Sequence, residues 1–144
     1  MKAEWVFVNV GCRPGPLDIP GAEYVDLLDS TSLMELDVVP EHLVVIGGGY
    51  VGLDFAKMFR RFGSRVTVMQ GAGQLLGRED GDVAEEIKKI LYEDGIEILL
   101  NSKADKLESV GARGTMPFKL TIKTETGSKK VPCSHVLAIY ALGD

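Results

Sequence analysis

The stretch that most restricts the fold of this chain runs from His42 to Gln70. Leu43, Val44, Val45 and Ile46 form an apolar run of the length of one buried strand. Gly47-Gly48-Gly49-Tyr50-Val51-Gly52 follows at once, with glycine at the first, third and sixth positions. Val51, Phe55, Met58, Phe59 and Phe62 then recur at helical spacing, which predicts a helix over Tyr50–Phe62 with that face inward. Gly63 stands where a left-handed helix end is expected, and Val66-Thr67-Val68-Met69 reads as a second strand. The unit is strand, glycine turn, helix, strand.

In such a unit the first glycine allows a tight turn, the second lets a pyrophosphate approach the backbone, and the third lets helix and strand pack closely. Those jobs fall to Gly47, Gly49 and Gly52. The free N–H groups and positive dipole end of the helix that follows favour phosphate. A glycine-rich turn by itself is weak evidence, and a purely structural turn has the same composition. A strand before it and a helix and strand after it are the context that dinucleotide binding requires.

From Pro40 to Ala56 the residues resemble the NAD(P)H-binding domain of the FAD-dependent pyridine nucleotide–disulfide oxidoreductases. That family includes glutathione reductase, dihydrolipoamide dehydrogenase and mercuric reductase, and Arg78-Glu79-Asp80 most resembles the mercuric-reductase-like branch. The resemblance extends from about Phe7 to Asp144. It implies an α/β fold: a Rossmann-like parallel sheet flanked by helices, with a three-stranded antiparallel meander inserted before the last parallel strand. The cofactor-binding residues it implies are Gly47, Gly48, Gly49, Tyr50, Val51, Gly52, Asp54, Gln70 and Arg78, with no catalytic or metal-binding residue. Asp54 stands where the family usually has glutamate near the nicotinamide and flavin.

Gln70 occupies the position at which NAD-binding versions place a carboxylate on the ribose 2′-OH. Glutamine can hydrogen-bond a hydroxyl without repelling a 2′-phosphate. Gly71-Ala72-Gly73 supplies no arginine, and Arg78, the nearest loop cation, lies beyond the family's usual place and reads more readily as a surface charge than as a phosphate ligand. The choice between NADH and NADPH stays open.

The rest of the chain reads as follows. Trp5–Val10 is a strand candidate ending at Gly11-Cys12-Arg13-Pro14, which resembles the stretch where the family leaves its FAD domain. Residues 13–21 are loop, and Asp29-Ser30-Thr31 caps a short helix through Leu36. Gly71, Gly73 and Gly77 predict a mobile connection, followed by a helix over Asp80–Glu93 with Val83, Ile87, Ile90 and Leu91 inward. Ile96–Leu100 reads as a third parallel strand. Phe118, Leu120 and Ile122 alternate with polar residues, Thr126-Gly127-Ser128 turns a hairpin, and Lys106–Val110 completes a meander. Lys119, Lys123, Lys129 and Lys130 read as its solvated face, His135 as structural or exposed rather than catalytic, and Val136–Ile139 as the last strand.

At 144 residues the chain reads as one NAD(P)-binding domain, with residues 1–20 and 140–144 as remnants of a missing FAD domain. Tyr140–Asp144 resembles the family's later Ala-x-Gly-Asp motif rather than the Gly-Arg-x-Pro that usually follows the last strand. The family's own FAD glycine motif and paired redox cysteines are absent from these residues, since Cys12 and Cys133 stand far apart. FAD is therefore expected only in a full-length parent that also brings a dimerisation domain. A net charge of -5 argues against a nucleic-acid surface, and no apolar run approaches the roughly 18 residues of a membrane span. Without a secretory pattern the cytoplasm is the expected compartment, with both cysteines as thiols. The functional expectation is a hydride-transfer domain of a flavin-dependent oxidoreductase, incomplete and inactive alone, and the alternative is a non-catalytic dinucleotide-binding or interaction module.

Overall fold

The computed structural model describes residues 3–7, 17–110 and 116–139. The strand β1 (His42–Ile46) lies at the centre, and all five of its residues are buried. A strand covered on both faces is apolar rather than alternating, which is why Leu43–Ile46 is an unbroken run, and His42 at its start is buried with polar partners. On one edge it pairs in parallel with β2 (Arg65–Met69), from His42↔Arg65 to Ile46↔Met69. On the other it pairs in parallel with the last strand (His135–Ala138), from Leu43↔His135 to Ile46↔Ala138. The strand β3 (Glu97–Leu99) extends the sheet beyond β2.

Two helices cover one face of this sheet: α2 (Tyr50–Arg61), which crosses from β1 to β2, and α3 (Gly81–Glu93), which crosses from β2 to β3. Leu43, Val45, Val66 and Val68 pack there against Leu53, Ala56, Phe59 and Leu91. Val44, Ile46, Met69 and Val136 point the other way, onto the three-stranded antiparallel sheet of β4 (Lys103–Ser109), β5 (Phe118–Thr124) and β6 (Gly127–Cys133). Leu107, Leu120, Ile122, Val131 and Cys133 supply its inner face. With β7 (His135–Ala138) as the last strand, the architecture is the expected parallel sheet with helices and an inserted meander. The short helix α1 (Ser30–Met34) is capped by Asp29, whose carboxylate accepts from the Thr31 and Ser32 N–H groups, and it stops at Met34 rather than Leu36.

Several local expectations change. The buried face of α2 is Gly52, Leu53, Ala56 and Phe59, while Val51 and Phe62 are 47% and 58% exposed. The cause lies at the glycine turn, where Gly52 sits so close to the Gly47 carbonyl that the helix is rotated to put its smallest residues inward. Phe55 and Met58 are half-buried at the margin of the core, and Phe62 caps the helix instead of extending it. On α3, Ala84 and Leu91 are buried and Ile87 partly so, but Val83 and Ile90 are 44% and 40% exposed. Asp80 is its N-cap, outside the helix.

The 71–77 connection is pinned rather than mobile: Leu75 and Leu76 are buried, and the Leu76 N–H donates to the Gly48 carbonyl at 2.9 Å. The β5–β6 hairpin turns at Glu125-Thr126, and Gly127, at φ 143°, already pairs with Thr124. Parallel pairing ends one residue short of Leu100 and of Ile139. Trp5–Phe7 lies in no strand, and Val8–Val10 falls outside the described residues, as do Gly11–Pro14 and Tyr140–Asp144.

Lys129 stays exposed, as expected, and pairs with Glu97 of the other sheet. This pair ends a polar chain at the amino end of the sheet interface. His42 is fully buried, and its Nδ1 lies 2.6 Å from the Pro132 carbonyl, which can only accept, so Nδ1 carries hydrogen. Its Nε2 lies 2.9 Å from Thr67 Oγ1, which in turn lies 2.9 Å from Glu97 Oε2, so the one hydroxyl hydrogen is shared between a neutral His42 and the carboxylate.

Candidate dinucleotide site

The site is built where β1 ends. Gly47 turns the chain with φ 118°, and a Cβ there would stand 2.5 Å from the Ile139 carbonyl oxygen. A Cβ on Gly52 would stand 2.4 Å from the Gly47 carbonyl oxygen and 3.3 Å from Val45 Cγ1. These two glycines thus do what the motif asks: one makes the turn, and the other brings α2 against β1. Gly48 has a reason the sequence did not disclose. Its Cβ would meet Leu75 Cδ2 at 2.6 Å and Gln70 Cβ at 3.2 Å, so the pinned 70–76 connection leaves no room for a side chain.

Gly49 differs from its neighbours, since a Cβ there meets nothing within 4 Å. It is the N-cap of α2, in extended conformation, and offers no side-chain oxygen to the helix. The N–H groups of Tyr50, Val51 and Gly52 open the helix and have no intrahelical acceptor. Open space, absence of a side chain and free donors coincide at one place, and an anionic group fits there.

Beside the turn, a cavity of about 510 Å³ opens at the carboxyl ends of β1, β2 and β7. Gly47, Met69, Gln70, Ser102, Lys103 and Ile139 are among the residues that line it. Gln70 Oε1 accepts from the Gly48 N–H at 3.0 Å, which ties the end of β2 to the glycine turn. Gly47–Gly52 and Gln70 are therefore brought together as the sequence predicts. Asp54 is exposed one turn along α2, on a separate groove shared with Leu53, Lys57 and Ile87. Arg78 is exposed on the connection to α3 and does not line the larger cavity. Tyr50 is 58% exposed, and its hydroxyl donates to Glu79, a bond that raises its pKa above 10.0. Lys103 and Ser102 had no signal along the chain, because only the parallel register of β2 and β3 brings their junction beside Gln70.

Among the described residues no group of three His, Cys, Asp or Glu could hold a metal ion, and no helix is long and apolar enough to cross a membrane. Cys133 is a free buried thiol, its pKa pushed up to about 12 by burial.

The family model described as pyridine nucleotide-disulphide oxidoreductase matches residues 1–143. The chain belongs to this family. It is 41% identical over 108 residues to the "Probable pyridine nucleotide-disulfide oxidoreductase RclA" of Escherichia coli (strain K12), covering 74% of this chain and 24% of that protein. A mercuric reductase of Lysinibacillus sphaericus is 33% identical over 139 residues, covering 96% of this chain and 24% of the relative. Among solved structures, the "HOCl-induced flavoprotein disulfide reductase RclA from Escherichia coli" superposes with a TM-score of 0.76 at 33% identity, covering 94% of this chain and 29% of that one. The chain thus spans about a quarter of the length of these relatives. Its fold is that of one portion of a flavoprotein disulfide reductase of this family.

Proposed function

We propose that these residues form the NAD(P)H-binding domain of a flavin-dependent oxidoreductase that passes hydride from NAD(P)H to FAD and on to a disulfide or metal-ion acceptor. The observation that carries the reading is the open space at Gly49 against the free N–H groups that begin α2. A pyrophosphate there accepts from the Tyr50, Val51 and Gly52 N–H groups, and the positive end of the helix opposes its charge. Gly47 and Gly48 hold the turn, and Gln70 holds Gly48. The bound nicotinamide supplies the hydride, and the protein's part is to position it.

FAD finds no second glycine motif in these residues, and the paired redox cysteines are missing too. The flavin, the dithiol and the acid–base group are assigned to sequence beyond these residues, in a full-length parent, so the chain alone is inactive. Titration with NADH and NADPH, followed by nicotinamide fluorescence, tests the reading. The wild-type chain binds with a dissociation constant in the roughly micromolar to millimolar range, because the flavin face that would sandwich the nicotinamide is not provided. Gly49→Val removes binding while the far-ultraviolet circular dichroism is kept. Binding by Gly49→Val equal to wild type refutes the assignment.

A further inference from the structure

The cavity beside the glycine turn also bears on which nicotinamide cofactor enters, an inference that rests on the pyrophosphate lying at α2. The Gly48 N–H can only donate, so the Gln70 atom 3.0 Å away is the carboxamide oxygen. The amide NH2 is the end left over, and it has no hydrogen-bond partner among the described residues. Two backbone bonds lace the start of the β2–α3 connection to the β3–β4 junction: Ser102 N–H to the Gln70 carbonyl, and Asn101 N–H to the Ala72 carbonyl, each at 3.0 Å. They set Lys103 beside Gln70 and Gly71 on the cavity wall. Lys106, Lys123 and Lys129 are paired with Glu108, Asp105 and Glu97, whereas Lys103 makes no ion pair among the described residues.

With the pyrophosphate at the start of α2, the adenosine ribose reaches the end of β2, where a carboxylate would mark the 2′-OH. Gln70 stands there instead, lining the cavity with its oxygen held by the Gly48 N–H, so that what its side chain still has to offer is a donor rather than an acceptor. We propose that the chain selects NADPH over NADH, the adenosine 2′-phosphate being received by the Gln70 NH2 and the Lys103 ammonium. Charge-assisted hydrogen bonds from two donors suit a phosphate dianion and gain little from a hydroxyl. Asp18, the one carboxylate among the described residues on the cavity wall, opposes this, but Lys103 is the charge tied through Ser102 to Gln70 itself.

The test is calorimetric titration of the full 144-residue chain with NADPH and with NADH, at one salt concentration. Wild type binds NADPH tighter by about tenfold. Lys103→Ala weakens NADPH by about fivefold to tenfold and leaves NADH within about twofold, and Lys103→Arg restores NADPH. Gln70→Glu keeps an oxygen for the Gly48 N–H, so the turn survives, and the preference reverses toward NADH. Equal wild-type affinities, or equal weakening of both nucleotides by Lys103→Ala, overturn the selectivity while dinucleotide binding stands. Failure of wild type to bind either one removes the dinucleotide reading and this inference with it.

Discussion

Replacing Gly52 by alanine separates two effects that oppose each other. Gly52 lies in the first turn of α2, where alanine relieves a conformational cost of about 0.5–1 kcal/mol. On helix propensity alone, Gly52→Ala stabilises the protein. The structure predicts the reverse. The new Cβ stands 2.4 Å from the Gly47 carbonyl oxygen, a backbone atom that cannot rotate away. Reaching an ordinary C···O separation of about 3.3 Å requires a movement of about 0.9 Å, in the helix or in the turn. Val45 Cγ1, 3.3 Å away in the fully buried centre of β1, blocks an easy slide. Overpacking costs about 1–3 kcal/mol, and a clash with an immovable backbone atom falls in the upper part, about 2–3 kcal/mol, so that a helical gain of about 1 kcal/mol leaves a net loss of about 1–2 kcal/mol. For a domain of this size that lowers the melting temperature by about 2–8 °C. Urea denaturation and a thermal melt read the effect, with Gly49→Ala as comparison, since its Cβ meets nothing within 4 Å and only the N-cap preference is lost. If Gly52→Ala is as stable as wild type, or if both alanines cost the same, the close packing of α2 against the turn is refuted.

Leu75→Ala should cost about 2–5 kcal/mol in urea denaturation, because this 1%-exposed side chain packs against Gly48 and anchors the connection; a cost below about 1 kcal/mol would restore the mobile-loop expectation. His42 should make the protein acid-sensitive: burial holds its pKa below the ordinary 6.5, so as the pH falls through that value the unfolded chain takes up a proton that the native one refuses. Its contribution is complete above 6.5 and is lost as the pH drops toward the lowered native value, so His42→Gln should show a shallower fall in stability on acidification, and an unchanged slope would exclude this role. In a Cys12→Ser background, Cys133 should react with a thiol reagent only at the rate of unfolding, since burial pushes its pKa up to about 12. Fast labelling in buffer would contradict the buried position.

The architecture was legible because its signals are local. The apolar run of β1, the glycine spacing and the alternation of Leu120 and Ile122 each specify an element without reference to distant residues. The buried faces of the helices were less legible. Val51 and Phe62 are as apolar as the residues inside, and the rotation of α2 is decided by the contact of Gly52 with Gly47, which periodicity does not register. The pinned connection was misread for a similar reason. Its glycines suggest freedom, but Leu75 and Leu76 between them are buried against the turn. At the site, the glycine motif and Gln70 could be placed from the sequence alone. Lys103 could not, because its position beside Gln70 follows from backbone bonds across the sheet.

The most direct test of the dinucleotide assignment is a two-dimensional amide NMR spectrum of the 144-residue chain titrated with NADPH. The account predicts that the largest shifts fall on Tyr50, Val51 and Gly52, whose N–H groups face the pyrophosphate, and on Gly49 beside them, with smaller shifts at Gln70 and Lys103. Shifts concentrated on the groove between α2 and α3, around Asp54, Lys57 and Ile87, with the glycine turn silent, would contradict it.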